Sequence, residues 1–239
     1  MKGSIVSLVI PCYNEQDNLN TLFSRLTELL TKTKNIKIVL VNNGSTDNSE
    51  KLLEDFRKLD TTNRVQIVQV NNNKGYGYGI MQGLKVCDTD LLSWTHADIQ
   101  TDPFDIIAAI DRWENAAEKP VMVKGKRISR KWGEAFFSWG MGLFASFVLR
   151  TRLKEINAQP KLFSREFFNQ IKDDAPDDFS LDLYFLFKAK KLGKVIDIPV
   201  YFSKRMAGEA KGGSGSSWKQ KFKLIKRTFT YIMTLRNRL

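Results

Sequence analysis

Short β-branched runs alternate with stretches of helical periodicity along the first half of the chain. Residues 5–10 form the first run, and Leu19, Leu22, Phe23, Leu26, Leu29 and Leu30 then recur every three or four positions. The same pattern predicts strands at 36–41, 65–70 and 91–94 and helices at 48–59, 76–86 and 103–113. Such alternation implies βαβ units, right-handed crossovers and a parallel sheet, with ligands beyond the carboxyl ends of the strands. The second half changes character. Residues 121–123 read as a fifth strand, followed by a basic run (Lys124, Lys126, Arg127, Arg130, Lys131) and an aromatic stretch at 136–149. Residues 161–164 read as an edge strand, 181–192 as an amphipathic helix and 195–202 as the last strand. A Gly/Ser/Lys-rich loop covers 203–217. Trp218, Phe222, Ile225, Phe229 and Ile232 then form one helical stripe, with Lys219, Lys221, Lys223, Lys226 and Arg227 between them. With no internal repeat or second core, one domain over 1–215 is expected, carrying a basic amphipathic segment at 216–239.

Composition narrows the class. The chain has 239 residues, 42% of them hydrophobic, which suits a packed core. Its net charge of +12 calls for an anionic partner: nucleotide, phospholipid or nucleic acid. Two cysteines, Cys12 and Cys87, make no disulfide scaffold, and no Cys/His cluster suits structural zinc. The first ten residues lack the features of a signal peptide. The 136–149 stretch is shorter than the roughly 20 residues of a spanning helix. A cytoplasmic protein is therefore expected.

Three strand ends are unusually polar: Pro11-Cys12-Tyr13-Asn14-Glu15, Asn42-Asn43-Gly44-Ser45-Thr46-Asp47, and His96-Ala97-Asp98-Ile99-Gln100. Each alone reads as turn and cap chemistry, with Asp47 as an N-cap. A parallel sheet would bring all of them to one edge. If the third loop is extended, His96, Asp98 and Gln100 point the same way and face one divalent ion, Mg²⁺ or Mn²⁺. The alternative is that His96 and Asp98 only cap the strand and the next helix. An ion held by so few protein groups needs phosphate oxygens to complete its shell. Asn14, Glu15, Asn43 and Asp47 would then hold a nucleoside. No P-loop string is present, and the glycines of Lys74-Gly75-Tyr76-Gly77-Tyr78-Gly79 lie outside the dinucleotide-binding register. They suit either close approach of a ligand or a flexible turn.

The runs IPCYNE, VNNGSTD, NNNKGYGYGIMQGL and THADIQTDP, in this order, resemble a family 2 glycosyltransferase. VKGKR, KLFSREFF and IDIPVYFSKRMAGEAK resemble its dolichol- or polyprenyl-phosphate mannosyl- and glucosyltransferase branch. The resemblance implies a GT-A fold, a Rossmann-like and mostly parallel α/β sheet flanked by helices. It implies a donor site made by Pro11, Tyr13, Asn14, Glu15, Asn43, Asp47, Lys74, Gly75 and Ala97. Asn43 stands where the family usually has an acid. His96 and Asp98 fall on the DxD pair, with His in place of the first Asp, and Gln100 matches a Gln of that loop. The metal set is thus His96, Asp98 and Gln100. Arg205, Glu209 and Lys211 match the string R-x-x-G-E-S-K, with Ala210 in place of Ser. Asp98, Arg205 and Lys211 are the expected catalytic residues, and Arg127 with Arg130 would hold an acceptor phosphate.

Relatives that act on a hydroxyl carry a base ahead of an E-D-x-D-L helix. Aligning Asp182 with the last Asp of that pattern puts Ser180 at the base position, although Asp177 and Asp178 are close. A phosphate acceptor is already anionic and needs no base. The resemblance therefore implies transfer from a GDP- or UDP-sugar to a polyprenyl phosphate, with inversion. The basic stripe from Trp218 suits a peripheral anchor at the inner membrane face, or a packing surface. Competing expectations are a transferase acting on a hydroxyl, an inactive relative, and a nucleic-acid-binding module. The apolar placement of the aromatics disfavours nucleic acid as a partner.

Overall fold

The structure is a computed structural model that describes residues 4–128, 132–203 and 218–238, the side chains of 132–139 and 218–224 excepted. The strands are β1 (Val6–Cys12), β2 (Ile36–Asn43), β3 (Val65–Val70), β4 (Leu91–Trp94), β5 (Met122–Ile128), β6 (Lys161–Ser164) and β7 (Val195–Tyr201). The helices are α1 (Gln16–Lys32), α2 (Ser49–Leu59), α3 (Tyr76–Val86), α4 (Asp105–Glu114), α5 (Trp132–Val148), α6 (Arg165–Ile171), α7 (Leu181–Leu192) and α8 (Trp218–Asn237). One sheet runs β3-β2-β1-β4-β6-β5-β7. All pairs are parallel except those of β6, which is antiparallel to both β4 and β5.

The strand pattern builds a core on each face. Leu8, Ile10, Ile38, Leu40, Val123 and Leu162 join Leu19, Leu22, Leu26, Ile106 and Trp113 from α1 and α4. Val9, Val39, Val41, Met122 and Phe163 join Ile80, Leu84, Phe167 and the residues of α7 on the other. Successive strand residues point to opposite faces, so both register sets are apolar where helices cover both sides.

Three sequence expectations are corrected. Residues 161–164 form an internal strand, because Leu162 enters one core and Phe163 the other. The helix at 181–192 is buried nearly all round instead of amphipathic, since 181–187 and Ala189 are all buried. The basic run begins inside β5, which extends to Ile128. There Lys124 is 2% exposed and pairs with Asp197 (3.1 Å). Burial lowers its pKa against that pairing.

At the C-terminal end, Ile232 and Leu235 of α8 lie in the main core, and Phe229 stacks on Phe144 of α5 at 4.6 Å. Phe229, Met233, Leu143 and Phe147 stay exposed. Among the described residues no helix is long and apolar enough to cross a membrane.

Asp105, in the first turn of α4, gives a stability prediction. Burial and the neighbouring Asp102 charge raise its pKa to about 6. Its Oδ2 is buried without a hydrogen-bond partner. Between pH about 4 and 6 the folded chain holds a proton that the unfolded chain has released. This contribution is therefore complete below about pH 4 and lost as pH rises through 6. The rise is worth at most about 3 kcal/mol. Partial exposure and the lost charge at the start of α4 reduce the net effect to about 1 kcal/mol. Asp105→Asn should stabilise the protein by that amount at pH 7 and by nothing below pH 4, measured by denaturant unfolding across pH.

Candidate active site

The parallel register sets the site. Cys12 of β1 lies opposite Asn42 of β2, and Val9 opposite Trp94 of β4, so three polar loops leave the same sheet edge. The first two loops are stitched together. Asn14 adopts a left-handed conformation (φ 50°), which Asn tolerates better than most residues. Its side chain donates to Thr46 Oγ1 (3.1 Å) and accepts from Thr46 N (2.8 Å), while its backbone N–H donates to Ser45 Oγ (3.1 Å). Asp47 accepts from the backbone N–H of Gln16 (3.2 Å) and of Ser49 (2.9 Å). One carboxylate thus satisfies donors at the starts of two helices. Pro11, Tyr13 and Glu15 flank this junction half-buried, and Glu15 accepts from Asn18 Nδ2 at 2.6 Å.

The glycines at the start of α3 serve close packing against another backbone segment. A Cβ at Gly77 would lie 2.5 Å from Pro176 O and 2.7 Å from Asp178 O. One at Gly75 (φ 132°) would lie 2.4 Å from Asp177 O. Tyr78 N donates to that same Asp177 carbonyl (2.8 Å). A Cβ at Gly79 would meet the Asn43 side chain at 2.7 Å. Asn43 is 3% exposed and donates through Nδ2 to Gly75 O (3.0 Å). A carboxylate could not make that bond, so the packing here calls for an amide. Beside it a groove of about 320 Å³ is lined by Gln69, Val70, Asn71, Asn72, Lys74, Tyr78 and Gln82. Asn71, Asn72 and Gln82 lie in the run NNNKGYGYGIMQGL but were given no role from the sequence. Asn71 and Asn72 follow β3 directly, and Gln82 lies in α3.

The third loop bends instead of running extended, with Ile99 at φ 55°. Gln100 N donates to Asp98 Oδ1 (3.2 Å), forming a side-chain turn. Gln100 O accepts from Ser203 N (2.8 Å), and its Nε2 reaches Ser203 O (3.4 Å). The chain leading to Arg205 and Lys211 therefore departs from this loop. Arg130, Arg205 and Lys211 themselves lie outside the described residues. Ala97 is buried, while His96 and Asp98 are half-buried. Among the described residues no group of three His, Cys, Asp or Glu could hold a metal ion. His96 and Asp98, with the Gln100 amide oxygen, offer one imidazole and two kinds of oxygen. That set fits a divalent ion whose remaining ligands come from phosphate or water.

A column of rings rises behind this loop. His96 stacks on Tyr76 (5.6 Å between centroids, 18°), and Tyr76 on Phe179 (4.8 Å, 8°). Gln159 Nε2 lies 3.5 Å from the Tyr76 hydroxyl and donates to Asp182 Oδ1 (2.8 Å). Asp182 pairs with Lys161, and both are buried. Burial pushes the Lys161 ammonium down to about 8 and the Tyr76 phenol up, the latter aided by the Asp182 charge. Ser180 is 1% exposed, and its Oγ has no hydrogen-bond partner. Asp178 pairs with Arg227 of α8 (3.0 Å). Arg127 is paired with Glu155 (2.7 Å) and lies over Phe202.

A model described as glycosyl transferase family 2 matches residues 7–179. A dolichol-phosphate mannosyltransferase of Pyrococcus furiosus is 29% identical over 86% of this chain and 58% of its own length. An undecaprenyl-phosphate 4-deoxy-4-formamido-L-arabinose transferase of Pseudomonas fluorescens is 38% identical over 45% of this chain and 31% of its own. The chain spans 31% to 58% of the length of the curated relatives it matches. A glucosyl-3-phosphoglycerate synthase from Mycobacterium tuberculosis, solved with Mn²⁺, UDP and glucosyl-3-phosphoglycerate, superposes with a TM-score of 0.72. It covers 98% of this chain and 80% of that one at 14% identity, a likeness of fold.

The close packing of α3 is testable. Gly77→Ala should cost about 1–3 kcal/mol through overpacking, although alanine is the better helix former. Gly140→Ala in α5 meets nothing within 4 Å and should be neutral or stabilising. Urea unfolding of the two variants separates packing from propensity.

Proposed function

Because the chain belongs to glycosyl transferase family 2, we propose that it transfers a sugar from a GDP- or UDP-sugar to a polyprenyl phosphate. The reading is supported most by the carboxylates around the base position. Asp182 is bound to Lys161 and Asp178 to Arg227, and aligning Asp182 with the last Asp of the E-D-x-D-L pattern puts Ser180 at the position itself. An acceptor that is already anionic suits such a site. Its phosphate oxygen attacks the anomeric carbon as the bond to the diphosphate breaks, with inversion.

Asn14, Glu15, Asn43 and Asp47, with Pro11, Tyr13, Lys74, Gly75 and Ala97, orient the donor. Asp98, with His96 and Gln100, would hold a divalent cation, which supplies positive charge to the leaving diphosphate. Arg205 and Lys211, which follow Ser203 in the chain, are assigned to add charge there. Arg127 and Arg130 are assigned to the acceptor phosphate, which at Arg127 competes with Glu155. The acceptor would lie at the membrane face. Leu143 and Phe147 of α5 and Phe229 and Met233 of α8 are exposed, with Lys226 alongside. Exposed apolar side chains with a cation beside them suit an anionic bilayer.

A thermal-stability screen of sugar nucleotides with Mg²⁺ or Mn²⁺ identifies the donor; at 100 times Kd it should add about 2.7 kcal/mol. Asp98→Ala should cut transfer at least about 100-fold. His96→Asp, which adds a hard oxygen ligand, should retain or raise activity with Mg²⁺. Transfer at the wild-type rate by Asp98→Ala would remove that residue from the site. If Asp177→Asn alone abolished transfer, a hydroxyl acceptor with Asp177 as base would replace the phosphate.

The double variant Phe147→Ser/Phe229→Ser should lose most binding to phosphatidylglycerol vesicles and retain donor hydrolysis. Co-sedimentation at low and high salt measures this, and salt should weaken the wild type only in part. Undiminished vesicle binding by the double variant would place the membrane contact elsewhere.

A further inference from the structure

The ring column behind His96 does not end at Phe179. The Arg227 guanidinium of α8 lies over the Phe179 ring, 5.5 Å from its centroid, and its Nε pairs with Asp178 at 3.0 Å. Both contacts fall on the 176–179 segment, against which Gly75 and Gly77 are packed. We infer that Arg227 is a positioning residue: it holds Phe179, and through Phe179 and Tyr76 it sets the ring of His96. The inference rests on reading His96 as a candidate metal ligand of the proposed transferase site.

Each link has a physical basis. Offset rings at these separations attract and resist tilting. Tyr76 has little freedom to adjust, because His96 and Phe179 stack on it and Gln159 stands at its hydroxyl. Gly75 and Gly77 leave no gap between the start of α3 and the 176–178 backbone, so a shift of one moves the other. Arg227 is itself fixed from the far side. Tyr231 and Leu235 follow at four-residue steps on the same helical face, and Leu235 is buried in the core. The anchored end of α8 is thereby connected to a loop that its sequence gives no reason to touch. The ion pair alone would contribute little at this exposure. Its effect lies in where it holds Phe179.

His96 is the only histidine, so ring-labelled protein gives a single pair of imidazole C–H resonances. In full-length protein without metal at fixed pH, Arg227→Gln should move both resonances. Phe179→Leu should do the same, and Arg227→Lys should restore part of the shift. With the donor found by the thermal screen, Arg227→Gln should lower kcat about fivefold, the size of one cation–π contact, with KM little changed. Unmoved resonances in both Arg227→Gln and Phe179→Leu overturn the coupling. Moved resonances with unaltered kcat overturn its role in the reaction. If the resonances move as expected but wild-type protein turns over no sugar nucleotide, the coupling stands and the proposed function fails.

Discussion

Lys161 of β6 and Asp182 of α7 are both buried, and the floor of the site rests on their pairing. Removing either partner would leave a buried charge uncompensated, which typically costs about 3–5 kcal/mol. The pair needs further polar groups around it. Ala158 O accepts from Lys161, and Gln159 donates to Asp182. The Trp94 ring lies 5.3 Å from the ammonium. Through Gln159 the network reaches the Tyr76 hydroxyl, and through the Tyr76 ring it reaches His96. A structural ion pair and a candidate metal ligand thus belong to one connected set of contacts.

The upper half of the site follows a different principle. There, short polar side chains replace regular secondary structure as partners for backbone groups. Asn14, Ser45, Thr46, Asp47 and Ser49 tie the first two loops together before any ligand arrives. Asn43 and the glycines at the start of α3 then close the third side of these loops, packed so tightly that a Cβ at Gly75 or Gly77 would clash with backbone oxygens. Such a frame is pre-organised, which lowers the entropy lost on binding. The bent loop at 97–100 is held at Ser203, where the segment bearing Arg205 and Lys211 begins.

The C-terminal helix combines two surfaces. Ile232 and Leu235 complete the core, whereas Phe229 and Met233 remain partly exposed beside α5. The apolar stripe predicts one continuous face, but the helix divides it between protein and surroundings. Packing of its last two turns therefore leaves room for a second role at the exposed edge.

Local periodicity determined most elements: strands at 65–70 and 91–94 and the helix at 76–86 are found where the pattern places them. Parallel strand direction then carried the three polar loops to one edge, so the candidate residues of 11–15, 43–47 and 96–100 were legible from the chain alone. The tertiary structure decided what each residue touches. Arg127 faces Glu155, Lys161 faces Asp182, Gly77 faces Pro176 and Arg227 faces Phe179, each across a separation no local window spans. It also turned β6 into an internal antiparallel strand and buried α7 nearly all round. A hydrophobic pattern records that a residue is buried, which is a local property. The identity of its partner depends on how distant segments pack, and the pattern does not record that.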